Sequence, residues 1–230
     1  MTMVEGGSMA GSNYTLVIGD KNYSSWSLRP WLALKACGAP FAEERVRLRQ
    51  PESKAEILRL SPSGKVPALK TDIGIICDSL AIVEYLAEQH PEAKLWPGSR
   101  EARAAARSIS AEMHAGFQAL RTDMPMDLLS ELPMPALHDA LEANIRRVVA
   151  IWRATRERFG TGGPFLMGAF TNADAMYAPV ATRFRTYGVD LAQFGDDGTA
   201  AGYVDAVYAM PSMAEWTEGA KTEMRERGRA

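Results

Sequence analysis

The chain has 230 residues, 47% hydrophobic and 23% charged, the balance of an ordinary globular protein of one or two domains with material for a sizeable core. A net charge of -2 supplies no basic field, and no arginine-lysine stripe is interleaved with aromatics, so nucleic acid is not an expected partner. No apolar stretch approaches the length of a bilayer crossing and residues 1–13 carry no apolar signal core, so the expectation is a cytoplasmic protein, off the membrane, with a disordered or artificially appended leader over 1–13.

From residue 14 the chain alternates short β-rich runs with helical patterns, which predicts an α/β unit. Residues 14–19 read as a first strand. A loop over 20–26 leads into a helix with Leu28, Trp31, Leu32 and Ala36 at helical spacing, stopped by Gly38. Proline deep inside a helix loses a hydrogen bond and clashes one turn back. Pro30 therefore places the helix start near Trp26 or Ser27, with Ser27 as a candidate N-cap and Ser24 and Ser25 left in the loop. A second strand over 41–48, a short helix over 52–60, an antiparallel strand pair over 67–71 and 73–77 and a closing helix over 78–89 complete the order βαβ, helix, ββ, α. Pro91, Pro97 and Gly98 mark a composition break, so the expected organisation is an α/β unit over 14–90, a linker over 91–99 and an all-helical region over 100–230. In that region Ile109, Met113, Phe117, Leu120 and Met124 recur at helical spacing within 100–124, and a second long helix is expected over about 135–159. Thr171-Asn172-Ala173-Asp174 is a capping-box variant that opens a third, with a short acid in place of Glu or Gln.

The most informative point is Ser79, where a β-segment turns into an amphipathic helix twelve residues after Pro67. A helix end exposes unpaired N–H groups and the positive pole of the dipole, so a carboxylate can bind there without a lysine. Asp78 beside those donors can pair with an ammonium group on the same ligand, which together suits the free α-amino-acid end of a peptide. The competing reading is that Asp78 or Ser79 simply caps the helix. Hydroxyls of Ser24 and Ser25 beside a helix N-terminus can donate to an anion and shift a bound thiol toward thiolate. Lowering a thiol pKa by about two units needs about 2.7 kcal/mol, within reach of one charge-assisted hydrogen bond plus a dipole term. A serine nucleophile of the hydrolase type needs a histidine base, and none of His90, His114 and His138 lies in a motif supporting that role. Cys37 and Cys77 lack Cys-x-x-Cys spacing and histidine partners, so they read as buried free thiols, and no motif suggests a metal. Val66-Pro67 leads a loop into a strand. A cis bond there would present the Val66 N–H and C=O to an extended peptide, and an ordinary trans loop is the alternative.

The chain resembles the soluble glutathione transferase superfamily from Tyr14 onward. Ser61 to Leu69 is similar to the family's Asn-Pro-x-Gly-x-Val-Pro-x-Leu loop, and Asp78-Ser79-x-Ala81-Ile82 to its Glu/Gln/Asp-Ser-x-Ala-Ile signature. Thr171-x-x-Asp174 resembles its capping box, and Ser24-Ser25-Trp26-Ser27-Leu28-Arg29 the Ser-Ser-Cys-x-x-Arg run of the zeta class, which includes maleylacetoacetate isomerases. Trp26 replaces the zeta cysteine, a departure that points to a serine-type bacterial-like branch. The resemblance implies a thioredoxin-like α/β domain carrying glutathione and an all-α domain carrying the second substrate. It implies Asp78 and Ser79 on the γ-glutamyl end, Val66 before a cis Pro67 on the cysteinyl backbone, and Ser24 on the sulfur, with Ser25 its rival and Tyr23 third. Lys65 or Lys54 would reach the glycine carboxylate, unless either is plain solvated surface. Met113, His114, Phe117, Gln118 and Arg121 would line the second-substrate face, a stripe that also reads as core. The implied activity is addition of glutathione thiolate to a small electrophile, as in detoxification, by a homodimer. The alternatives are a glutathione-dependent cis-trans isomerase of maleylacetoacetate type and a non-catalytic glutathione-fold binding module. Glutathione-linked thiol reduction would want a cysteine within residues 24–26, and none is there.

Overall fold

Strand β1 (Tyr14–Ile18) sends successive side chains to opposite faces, as the two-residue period of a strand requires. Leu16 and Ile18 join Leu28, Trp31, Leu69 and Ile82 in the main core, whereas Val17 joins Val46, Ile57, Leu60 and Ala68 in a smaller one. The computed structural model describes residues 14–228, so the leader expected over 1–13 lies outside the described residues.

The sheet runs β2-β1-β3-β4, with β2 (Phe41–Arg45) parallel to β1, and β3 (Ala68–Thr71) antiparallel to both β1 and β4 (Gly74–Cys77). Helices α1 (Ser25–Cys37) and α3 (Ser79–Gln89) cover the main-core face, and α2 (Ser53–Leu60) covers the other. The second strand ends at Arg45, short of the expected residue 48, because the chain turns away through Arg49 at φ 62°.

Helix α1 starts earlier than expected. Ser24, not Ser27, is the N-cap, its Oγ accepting the Ser27 N–H at 3.3 Å, and Ser25 is already helical. Pro30 therefore sits inside the helix. The bond it cannot make and its clash cost about 3 kcal/mol. Full burial of Leu28, Trp31, Leu32 and Leu34 stabilises α1 by roughly 1.5–3 kcal/mol per side chain and outweighs that cost. Ala36, expected on the apolar face, is exposed.

The second region is helical: α4 (Arg100–Ala115), α5 (Gln118–Asp123), α6 (Asp139–Phe159), α7 (Asn172–Thr186), α8 (Thr199–Tyr208) and α9 (Pro211–Arg227). The apolar repeat over 100–124 is two helices rather than one. Gly116 ends α4, and Phe117 holds a left-handed backbone at φ 62° while its ring stays in the core, 7% exposed. Arg121 donates to the freed carbonyl of Gly116 at 2.9 Å and to that of Met113, closing the break. Helix α6 begins at Asp139 rather than near 135, with Asp139 and Glu142 in its first turn complementing the dipole. Helix α7 is buried along nearly its whole length and packs against α1 and α4. Helix α9 packs against α1 and reaches the loop after β1, where Trp216 Nε1 donates to the Lys21 carbonyl at 2.9 Å and Glu223 accepts the Lys21 N–H at 2.8 Å. No helix of the described residues is long and apolar enough to cross a membrane.

Candidate functional site

Two helix N-termini, those of α1 and α3, are joined by side chains that reach between them. The loop that delivers α1 is buried and pinned from the helical region. Asn22 donates to Asp127 at 2.7 Å, accepts the Leu129 N–H at 2.9 Å and gives its carbonyl to the Leu128 N–H at 3.1 Å. Arg227 pairs with Asp20, which also accepts the Leu48 N–H at 2.7 Å. Fixed at both sides, the loop leaves Ser24 5% and Ser25 6% exposed at the start of α1.

The hydroxyls differ in their partners. Ser24 Oγ lies 2.7 Å from Ser27 Oγ, which accepts the Gly19 N–H at 3.1 Å. Ser25 Oγ accepts from Arg183 Nη2 of α7 at 3.3 Å. The Tyr23 ring lies under the Arg49 and Arg227 guanidiniums, 4.8 and 5.6 Å from its centroid.

At α3, Asp78 is the N-cap and adopts φ 81°, a left-handed backbone uncommon for a residue with a side chain. Its Oδ1 accepts the Leu80 and Ala81 N–H groups at 2.8 and 3.3 Å. Its Oδ2 lies 3.3 Å from His114 Nε2, and the side chain is 49% exposed. Capping and an outward-facing oxygen thus coexist in one carboxylate. Ser79 is buried, with Oγ 3.5 Å from Arg29 Nη1.

Arg29 and Trp26, both from α1, link the two ends. Arg29 is 1% exposed, stacks 4.2 Å from the Trp26 ring centroid, and leaves Nε without a partner. Arg121 stacks on the same ring at 4.8 Å, and His114 meets it edge-on at 5.4 Å. Burial, reinforced by Arg121 and Arg183 and opposed by Asp78, pushes the Arg29 guanidinium well below its ordinary pKa. Burial likewise brings Arg183 down to about 10. Burial also holds the His114 imidazole below its usual range, with Asp78 opposing and Arg29 and Arg121 adding to the shift. The arrangement is a cationic cleft wall around an indole, with hydroxyl donors on one side and a helix N-terminus on the other.

The remaining residues singled out by sequence fall in different settings. Val66-Pro67 is cis, Val66 is half-buried and Pro67 buried at the start of β3. Lys65 is exposed, and so is Lys54, whose Nζ lies over Gly64, 3.0 Å from where a Cβ would stand. Met113, on α4, and Phe117, at the break after Gly116, lie in the main core, 1% and 7% exposed, the core side of the two readings of that stripe. Gln118 is exposed and donates to Thr122 at 3.2 Å, while Arg121 is spent largely on the carbonyls ending α4. Cys37 and Cys77 are half-buried rather than buried, and burial pushes the Cys37 thiol up to about 12. Arg29 and Arg183 were not nominated from sequence. Their signal is a lone cation inside an apolar run, Leu28-Arg29-Pro30-Trp31-Leu32 and Val180-Ala181-Thr182-Arg183-Phe184.

Comparison with known proteins bears on this architecture. Residues 23–89 match the family model described as the glutathione S-transferase N-terminal domain. A maleylacetoacetate isomerase of Rattus norvegicus is 30% identical over 174 residues, 74% of this chain and 77% of that protein. The chain belongs to the glutathione S-transferase superfamily. Within it the relatives place this transferase near the zeta class. A probable maleylacetoacetate isomerase of Caenorhabditis elegans is 37% identical over 107 residues, a stretch spanning about half of each protein, 46% of this chain and 49% of that one. A solved glutathione transferase homolog from Burkholderia gl BGR1, with bound glutathione, superposes with a TM-score of 0.70 at 23% identity, covering 91% of this chain and 99% of that one. The fold of this transferase is thus the expected one, a thioredoxin-like α/β domain followed by a helical domain.

Proposed function

We propose that this transferase binds glutathione between the N-termini of α1 and α3, holds its sulfur as thiolate and adds it to a small electrophile. The observation that carries the reading is the Arg29 bridge: one buried residue of α1, the helix that Ser24 caps and Ser25 opens, stacks on Trp26 and reaches Ser79 of α3 at 3.5 Å. The γ-glutamyl carboxylate takes the Ser79 end of α3, its ammonium takes Asp78 Oδ2, and the cysteinyl backbone pairs with Val66 beside Pro67. The sulfur then lies at Ser24, where the α1 dipole and a hydroxyl donor favour the thiolate. Lys65 approaches the glycine carboxylate from the surface. His114, Gln118 and Arg121 face the electrophile. On this reading 14–90 is the glutathione-binding domain, 91–99 the linker and 100–230 the substrate-binding domain. The protein works as a cytoplasmic homodimer in detoxification.

The Arg29, Arg121 and Arg183 cluster favours a second reading, a cis-trans isomerase acting on a carboxylate-bearing substrate of maleylacetoacetate type. Glutathione thiolate adds to the double bond, the resulting single bond rotates, and elimination returns glutathione. The names of the rat and nematode relatives support it.

Isothermal titration with glutathione, followed by thiolate absorbance across pH on the same sample, tests the proposal. Binding with a lowered thiol pKa that is lost in Ser24→Ala is the expected result. No binding at millimolar glutathione overturns it and leaves the fold as a binding module. Turnover of maleylacetoacetate without a released conjugate selects the isomerase.

A further inference from the structure

Ser27 lies within α1, is 0% exposed and takes no part in the glutathione contacts proposed above, yet its hydroxyl is 2.7 Å from that of Ser24. Counting protons and lone pairs fixes how the two hydroxyls share one hydrogen bond. A serine hydroxyl has one proton and two acceptor sites. Ser27 Oγ already accepts the Gly19 N–H at 3.1 Å, and Ser24 Oγ already accepts the Ser27 N–H at 3.3 Å. If Ser24 donated to Ser27, both acceptor sites of Ser27 would be filled and its own proton would be stranded in a site closed to water. A buried unsatisfied donor of that kind costs free energy, and buried polar groups are nearly always paired. In the opposite arrangement Ser27 donates to Ser24, and the one proton left over belongs to Ser24, 5% exposed at the helix end where the sulfur is proposed to sit, rather than to the fully enclosed Ser27. Ser24 then has both acceptor sites filled, by the Ser27 N–H and the Ser27 O–H, and its proton is the only capacity left to it.

We propose that Ser27 is a positioning residue that turns Ser24 into a donor-only hydroxyl for the glutathione sulfur, a role that rests on the glutathione reading above. A hydroxyl that accepts two bonds is polarised toward donation, and chained hydrogen bonds strengthen one another by roughly 10–30% per bond. It also has no free lone pair to offer a neutral S–H, so the site favours thiolate over thiol by exclusion as well as by attraction. The chain Gly19 N–H to Ser27 to Ser24 to sulfur runs in one direction and ties the end of β1 to the reacting atom. Ser25, whose oxygen accepts from Arg183, has no such serine behind it, which divides the roles of the two adjacent hydroxyls.

The test is a double-mutant cycle read by thiolate absorbance of bound glutathione and by the acid limb of kcat/KM against pH. Ser27→Ala is expected to move both to higher pH by about half to one unit, with glutathione affinity about 3- to 10-fold weaker at high pH, where the thiolate is bound, and within about twofold of wild type at low pH, where the thiol is bound. In the Ser24→Ala background the same replacement is expected to move neither, because Ser27 acts only through Ser24. A merely structural role would lower the melting temperature without moving the limb. An unmoved limb in Ser27→Ala, or a full shift persisting without Ser24, overturns the proposal. If Ser27→Ala does not fold, Ser27→Cys carries the test: its weaker S–H donor gives a smaller shift in the same direction, and no shift overturns the proposal. Failure of Ser24→Ala itself to change the bound thiol overturns the glutathione reading instead, so the two failures are distinguishable.

Discussion

Asp174 at α7 and Asp78 at α3 are both aspartates at helix N-termini, and they are spent differently. Asp174 is 0% exposed, and its two oxygens accept the Leu166 N–H at 2.9 Å, the Thr171 N–H at 2.8 Å and the Thr171 hydroxyl at 3.0 Å. Asp78 commits Oδ1 to two N–H groups, turns Oδ2 toward the cleft, and holds a left-handed backbone to do so. The first carboxylate is consumed by the fold. The second keeps an oxygen for a ligand, and the unused valence together with the exposure separates a structural cap from a binding one.

Exchanging the two residues' chemistry tests that separation. Asp174→Ala strands buried donors and is expected to lower the unfolding free energy by about 3 kcal/mol in urea titration, with glutathione affinity of the folded fraction unchanged. Asp174 also gives stability an unusual pH dependence. Burial raises its folded pKa from the usual 3.8 to about 6, against the capping bonds that oppose the shift. Between those values the folded state holds more protons than the unfolded one, so this carboxyl's contribution weakens as pH rises from about 4 to about 6. Asp174→Asn is expected to abolish that slope in melts taken across the same window.

At the α1 and α3 N-termini the order of effects reverses. Ser24→Ala is expected to lower kcat/KM by about 10- to 100-fold, the worth of one charge-assisted hydrogen bond, and Ser25→Ala by much less; equal losses from Ser25→Ala would move the sulfur contact to that residue. Asp78→Asn keeps a capping side chain and removes only the charge. It should raise the glutathione Kd about tenfold in calorimetry while shifting Tm by only a few degrees; a large fall in Tm with unchanged Kd would make Asp78 a structural cap like Asp174. Burial holds the His114 imidazole below its usual pKa, with Asp78, 3.3 Å from its Nε2, opposing the shift. Between its depressed pKa and the usual 6.5 the unfolded chain binds the extra proton, so this group's contribution to stability falls as pH drops below 6.5. His114→Gln keeps a donor and should change glutathione affinity by less than about threefold, and Lys65→Ala, on a solvated side chain, by less than about twofold.

Much of the fold and part of the site are legible in the residues. The β-rich run of β1, the Gly38 stop, the Asp78-Ser79 signature and the Thr171–Asp174 pair are local patterns whose physical meaning survives without the rest of the chain. The errors arose where distant burial overrode a local rule. Pro30 argued for a later helix start, and burial of Leu28, Trp31, Leu32 and Leu34 in the core that α1 shares with the sheet and α7 outweighed it. Helical spacing over 100–124 concealed the break at Gly116, because Phe117 gains its place in the core by leaving the helix. Ser27 looked like a cap and is a buried partner of Ser24.

By itself, then, the sequence determined the order of elements, the α/β and helical halves, and the serine and aspartate types at two helix ends, since periodicity and capping depend on neighbours a few residues away. Only the tertiary structure decided that Arg29 reaches Ser79 across fifty residues, that Arg183 of α7 serves Ser25, and that His114 meets Asp78. Those contacts join helices whose relative placement is fixed by packing of the shared core. No local pattern encodes which side chains that packing brings to the same cleft.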